Sequence, residues 1–213
     1  MGFQYCSVYK NSKISRNKFI TISDFYSYLR ANFFPCFMSN QVIDALKMRR
    51  SIRSYKPEQI SDEELQTVLE AGTWAPTAMG YQDPWIVAVQ NPALREKISK
   101  MNAAVMGANS DPFYGAPTFV LVFASAPEKW ANGVPDGSLV LGNMMNAAYA
   151  TGLGSCWINR EREMFATAEG KALMEELGVP TDLIGVGALA LGYPAGEARP
   201  PKPRKEGYYR VIK

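Results

Sequence analysis

Histidine is absent from all 213 residues of the chain, and that absence removes a large share of enzyme chemistry. Ser-His-Asp and Cys-His nucleophile systems need an imidazole base, and imidazole-ligated zinc, haem and copper sites need it as a ligand. Cysteine is scarce too. Cys6, Cys36 and Cys156 are odd in number and lack CxxC spacing, which argues against a disulfide framework or a thiolate metal site and for a reducing, cytoplasmic setting. Long apolar runs are also missing: the strongest, Phe119 to Ala124, falls far short of the roughly 18 residues that cross a bilayer. A concentrated charge of one sign is lacking, since 23 Lys and Arg face 20 Asp and Glu for a net +3, too weak a field for nucleic acid. No membrane, nucleic-acid or metal partner is expected.

What is present is a globular composition, 47% hydrophobic and 20% charged, too apolar for disorder and sufficient for a core. The length suggests one domain with an appendage. Residues 1–38 hold five cations and one anion, leaving 18 cations against 19 anions in the rest, so the body is near neutral. That polar, acid-poor stretch, with scattered aromatics but no signal-peptide core, reads as an N-terminal extension or as sequence upstream of a start at Met38. Residues 39–213 read as the functional domain.

Regular patterning begins at Ser39. Val42, Ile43, Leu46 and Lys47 have helical spacing up to about Arg50. Ser61 and Glu64 form a capping box for an amphipathic helix running to about Trp74, ahead of Pro76. Trp85–Val89 and Thr118–Ala124 are short β-branched and aromatic runs bounded by Pro84, Asn91, Pro117 and Pro127, and predict buried strands. An Ala- and Met-rich helix is predicted over Gly137–Thr151, capped by Asp136 and closed by Gly152; being apolar on nearly every face, it belongs in a core or an interface. Gly154–Ile158 and Leu183–Leu191 predict two more strands, separated by a helix over about Glu163–Leu177. Gly185-Val186-Gly187 lacks the third glycine of a dinucleotide fingerprint and reads as strand. Prolines 194, 200, 201 and 203 forbid a helix in the tail.

Four segments could carry chemistry. Arg49-Arg50-Ser51-Ile52-Arg53 packs three guanidiniums, the forked donors suited to phosphate, at the end of a helix. Lys202-Pro203-Arg204 pairs two more cations on extended backbone. Ala75-Pro76-Thr77-Ala78-Met79-Gly80-Tyr81-Gln82 is a helix-to-strand loop of small, hydroxyl, amide and aromatic residues, the kind of connection that holds ligands against a rigid scaffold. Gly152-Leu153-Gly154-Ser155-Cys156-Trp157-Ile158-Asn159 is a glycine-flanked strand carrying a flat aromatic. Taken singly, a solvated basic face, a solvated tail, core packing of Trp157 and turns at the glycines are the better readings.

In this order and spacing the four segments resemble the nitroreductase family of FMN-dependent oxidoreductases, from about Ser39 to the C-terminus. The resemblance implies an α+β fold with a central, mostly antiparallel sheet flanked by helices, and a homodimer that shares its sites. It implies that Arg49, Arg50 and Ser51 contact the FMN phosphate and ribityl chain, that Lys202 and Arg204 close on the phosphate, and that Arg53 lies by the flavin pyrimidine edge. Pro76, Thr77, Ala78, Met79 and Gln82 would reach the partner subunit's flavin, and the Trp157, Ile158 and Asn159 backbone would lie along the ring. A cation at the pyrimidine edge makes physical sense, because reduced flavin gathers negative charge there. No side chain is expected to be catalytic in its own right. The expected reaction is hydride transfer from NADH or NADPH through flavin to a nitroaromatic, quinone or other conjugated small-molecule acceptor by a ping-pong mechanism. Gly80, where relatives often carry asparagine, and Gln82-Asp83-Pro84 depart from the family pattern. A dehalogenase or enone reductase, or a flavin carrier or sensor without turnover, are the alternatives. Met101–Pro112 is the expected lid over the acceptor.

Overall fold

Alternation along one strand organises the molecule. In the computed structural model, which describes residues 40–213, every residue of the strand Thr118–Ser125 is buried. Phe119, Leu121 and Phe123 enter one core while Val120 and Val122 enter another, as the period of two requires of a strand covered on both faces. The reading of residues 1–38 lies outside the described residues.

In chain order the described elements are α1 (Gln41–Met48), α2 (Asp62–Thr73), a 3-10 turn (Ala78–Gly80), β1 (Trp85–Val89), α3 (Pro92–Met106), β2 (Thr118–Ser125), α4 (Gly133–Ala150), β3 (Gly154–Ile158), α5 (Glu161–Ala166), α6 (Ala168–Glu176) and β4 (Leu183–Gly192). The sheet is antiparallel throughout, in the order β1-β2-β4-β3. Ile98 and Met101 of α3, Met164 and Phe165 of α5, and Leu173 of α6 pack on one face. Val68 of α2 and Leu141 and Met144 of α4 pack on the other. The result is the expected α+β class, with the sheet between two helical layers.

The four predicted strands form within one residue of their expected ends. The capping box of α2 also forms: the Glu64 N–H donates to Ser61 Oγ at 3.2 Å and the Ser61 N–H to Glu64 Oε2 at 2.9 Å. Three helical expectations are corrected. α4 begins four residues before the predicted Gly137, with Asn132 at its N-cap and Pro135 in the first turn, where a missing N–H costs little. Asp136 therefore does not cap it but is buried inside the first turn. The single helix expected over Glu163–Leu177 is two, broken at Thr167, whose extended backbone (φ −75°, ψ 160°) and Oγ cap α6 at the Gly170 N–H, 3.0 Å away. Helix α3 was not anticipated, and Met101–Met106 of the expected lid forms its C-terminal part, with Met101, Asn102 and Ala103 buried.

Gly185-Val186-Gly187 is strand, as read, and adjoins a bulge opposite Val122 and Phe123. A Cβ at Gly187 would stand 2.8 Å from Trp157 Nε1, so glycine there lets the indole lie flat on the sheet.

Candidate functional site

The arginine segment is held on the free edge of β3. Ser51 bridges Ser155 in parallel, and the Ile52 N–H donates to the Ser155 carbonyl at 3.0 Å. Gly154 admits this approach, since a Cβ on it would come within 2.9 Å of the Ile52 side chain. The other side of the segment is held by the beginning of the tail: the Lys56 N–H donates to the Tyr193 carbonyl at 2.9 Å and the Ala195 N–H to the Ser54 carbonyl at 3.0 Å. Tyr55 anchors it from beneath, its hydroxyl sharing its one proton between the carbonyls of Ile52 (2.9 Å) and Ala190 (3.0 Å), with burial pushing that phenol far above its ordinary pKa.

Two hollows follow from this stitching. One, of about 160 Å³, is lined by Arg49, Arg50, Tyr149, Ser155, Pro194 and Gly196 among others. Its neighbour, of about 340 Å³, is lined by Ser51, Arg53 and Ser54 against Gly196–Arg199, and the two share Ile52, Gly196 and Ala198. Arg49 Nη1 and Ser155 Oγ are both buried without a hydrogen-bond partner among the described residues. A buried unsatisfied donor costs about 1–3 kcal/mol, more if charged, so two beside one hollow mark where a polar ligand fits. Arg50 is partly committed elsewhere, its Nη1 donating to the Lys47 carbonyl at 2.8 Å. The Cys156 thiol lies near Arg53, Ser51 and Arg49, whose influence opposes but does not outweigh the burial that raises its pKa.

The Trp157–Asn159 segment lies beside these arginines. Because the Ser155 carbonyl points off the outer edge of β3 to Ile52, the period of two puts the Trp157 N–H and carbonyl on that same edge. The Trp157 indole packs in the α4-side core, as expected of the residue taken singly. Ile158 is buried and ends the strand, and Asn159 follows it. Lys202 and Arg204 are not brought in: neither lines either of these two hollows, and Arg204 Nη2 folds back to the Lys202 carbonyl at 2.8 Å.

The loop Pro76–Gln82 is built elsewhere. Asp136 Oδ1 accepts the Ala78 N–H at 3.0 Å, Thr77 Oγ1 accepts the Gln82 N–H at 3.1 Å, and Tyr81 packs on Trp130 with ring centroids 4.8 Å apart. Met79 (φ 56°) and Gln82 (φ 51°) occupy the left-handed region, which non-glycine residues adopt at a cost of about 1–2 kcal/mol. Asp136 lies in the first turn of α4 and Tyr149, beside Arg49 and Arg50, in the last, so about 20 Å of helix separates them. Within one chain the loop and the arginines do not meet.

Three residues near the site were not singled out from sequence. Asn102, wholly buried on α3, donates from Nδ2 to the Asn159 carbonyl (2.8 Å) and Glu161 Oε1 (3.0 Å), while Arg160 Nε donates to its Oδ1 (3.0 Å). Glu161 is buried beneath that corner, and desolvation raises its pKa well above the carboxylate range. Tyr114 stands with its ring centroid 5.8 Å from the Arg53 guanidinium carbon. The readable signals were an asparagine on an apolar helix face and a carboxylate next to a strand end; for Tyr114, sixty residues from Arg53, there was none. A wider hollow of about 610 Å³, between α3 and residues 108–116, has its arginine already used: Arg95 donates to the Gln90 and Ala116 carbonyls.

Comparison with known proteins bears on this geometry. The model of the Nitroreductase family matches residues 46–193. An Archaeoglobus fulgidus protein with NAD(P)H nitroreductase in its name is 35% identical over 165 residues, covering 72% of this chain and 87% of that protein. The FMN reductase [NAD(P)H] of Bacillus subtilis is 28% identical over 186 residues, covering 78% and 70%. The crystal structure of a nitroreductase with bound FMN from Bacteroides fragilis superposes with a TM-score of 0.76 at 31% identity, covering 82% of this chain and 100% of that one.

Proposed function

The chain belongs to the nitroreductase family, and on that premise we propose that it is an FMN-dependent oxidoreductase, acting as a homodimer, that transfers a hydride from NADH or NADPH by way of flavin to a nitroaromatic, quinone or other conjugated acceptor in ping-pong fashion. One observation carries the proposal: Arg49 Nη1 and Ser155 Oγ, both buried and unpartnered, beside a hollow where the tail meets the arginine segment. That donor set suits a phosphate, which supplies the oxygens that a guanidinium and a hydroxyl lack.

In this reading Arg49, Arg50 and Ser51 hold the phosphate and ribityl end. Arg53 faces the pyrimidine edge from the adjoining hollow, and the outward Trp157 backbone and Asn159 run along the ring. Bound FMN supplies a two-electron carrier whose ring accepts and returns a hydride. The protein's part is electrostatic: Arg53 offers fixed positive charge where reduction concentrates negative charge, and the walls of the hollow hold the ring in place. Lys202 and Arg204 lie along the same tail, and closing on the phosphate would require them to swing from their present contacts. Pro76, Thr77, Ala78, Met79 and Gln82 would complete the site of the partner subunit, a role supported by their separation from the arginines of their own chain. Residues 39–213 carry all of these parts.

Reconstitution tests the proposal. Purified protein mixed with excess FMN and passed through a desalting column should stay yellow, and anaerobic NADH or NADPH should bleach it. Adding a quinone or nitroaromatic should restore the colour. A protein that emerges colourless overturns the flavin site; one that stays yellow but is not bleached by either nicotinamide supports the flavin-carrier alternative.

A further inference from the structure

Tyr114 lies outside every helix and strand, yet its surroundings fix it firmly. The Asp111 carboxylate accepts the N–H of Phe113 (2.9 Å), the N–H of Gly115 (2.6 Å) and the Ser99 hydroxyl (2.7 Å), so it ties the turn to α3. Phe113 is wholly buried and stacked on Phe119 with ring centroids 3.8 Å apart. Between these anchors Tyr114 is held at φ 58°, in the left-handed region that a non-glycine residue occupies at a cost. The consequence is directional. While Phe113 points into the core, Tyr114 remains 38% exposed, and its ring stands 5.8 Å from the Arg53 guanidinium carbon. That separation is within the range of a cation–π contact, for which arginine is the more frequent partner.

Arg53 otherwise lacks restraint. Its side chain is exposed, beside the hollow of residues 51–54 and 196–199, and no carboxylate pairs with it among the described residues. A free arginine side chain carries about 2 kcal/mol of rotamer entropy, so an unrestrained guanidinium delivers little of its charge to one point. We propose that Tyr114 is a positioning residue for Arg53, its strained turn holding the ring against the guanidinium so that the positive charge stays aimed into the hollow where the flavin pyrimidine edge lies. This rests on the placement of Arg53 proposed above. The Tyr114 hydroxyl oxygen, accepting from the guanidinium, raises the Arg53 pKa more than any other neighbour does, in keeping with the close approach of the two side chains. Asp111, Phe113 and Gly115 then serve the site at one remove, as the parts that keep Tyr114 left-handed.

The midpoint potential of bound FMN, measured by spectroelectrochemistry, separates this role from a structural one, because a residue that merely supports the fold does not change the preference for reduced over oxidised flavin. The variants are R53M, Y114L and the double substitution, each checked for native circular dichroism. R53M should lower the potential. Y114L should weaken the preference for reduced flavin about tenfold, which for a two-electron couple is about 30 mV, and the double variant should lie no lower than R53M alone. Y114F, which keeps the ring and is the gentler change should Y114L not fold, should shift less in the same direction. Full additivity in the double variant, or no shift from either tyrosine variant while R53M shifts, overturns the inference. An unchanged potential in R53M instead overturns the placement of Arg53, and the inference with it.

Discussion

At the residue scale the site turns on groups whose hydrogen bonds are left open by the protein itself. Arg49 Nη1 has no partner among the described residues, so replacing the side chain should leave the apoprotein intact while removing the proposed phosphate contact. For Arg49→Met we expect FMN affinity, followed by flavin fluorescence quenching, to fall by the value of one charge-assisted bond, about 1.5–3 kcal/mol or roughly tenfold to over a hundredfold. An unchanged dissociation constant would remove Arg49 from the site. Glu161 makes the opposite case, a buried acid whose pKa is raised, chiefly by desolvation, with Arg160 opposing the shift. Its folded pKa lies above the unfolded value, so the folded state binds more protons and stability falls as pH rises from the carboxylate range toward the raised pKa, by about 1.4 kcal/mol per pH unit. Glu161→Gln should therefore flatten the fall of stability as pH rises above the ordinary carboxylate range in urea titrations. Parallel curves would show that the decline comes from other groups. The arginines were legible in the sequence because a run of forked cations is unusual; Glu161 was not, because burial is a property of the packed chain.

Elements were legible wherever local signals acted alone. β1 to β4 carry β-branched and aromatic runs between breakers, and α2 carries its own cap, so composition and boundary agree. Helix α3 has comparable signals in Asn91-Pro92 at its start and Gly107, at φ 67°, at its end, but a weak apolar periodicity between them hid it. Asp136 failed for a different reason: it resembles an N-cap, yet tertiary packing assigns its carboxylate to the Ala78 amide in a loop 58 residues away, and helix α4 extends past it. That contact couples two elements. Asp136→Ala should strand the Ala78 amide and release the strained Met79 turn, at a cost of about 1–3 kcal/mol. For a chain of this size that corresponds to a drop of roughly 2–12 °C in melting temperature, measurable by calorimetry. Asp136→Asn, which keeps an oxygen acceptor, should recover most of the difference. Equal melting of all three proteins would mean that the loop is not held by this bond.

At the scale of the whole molecule, the described residues leave large apolar side chains exposed in two stretches. Around the Pro76–Gln82 loop, Trp74, Met79 and Tyr81 are 78%, 79% and 60% exposed, and along the tail Tyr208, Tyr209, Val211 and Ile212 are 68–89% exposed. Large apolar side chains clustered at such exposure mark an interaction surface rather than the scattered apolar residues of an ordinary monomer face. Helix α4 adds Leu139, 47% exposed, and Tyr149, 40% exposed, on a segment apolar enough to have read as core or interface from sequence alone. The same helix holds the Pro76–Gln82 loop at one end and reaches the arginine hollow at the other, so a second copy packed along it could bring its loop to the first copy's arginines. Cofactor binding and self-association should then be one equilibrium. Light scattering should give a dimer, and diluting the protein toward its dissociation constant should release FMN as the monomer appears. Deleting residues 206–213, which removes the exposed tyrosines, Val211 and Ile212 without touching Arg49, Ser155 or Arg53, should shift both midpoints to higher protein concentration together. A truncated monomer that holds FMN as tightly as the intact dimer would show that each chain builds its whole site by itself.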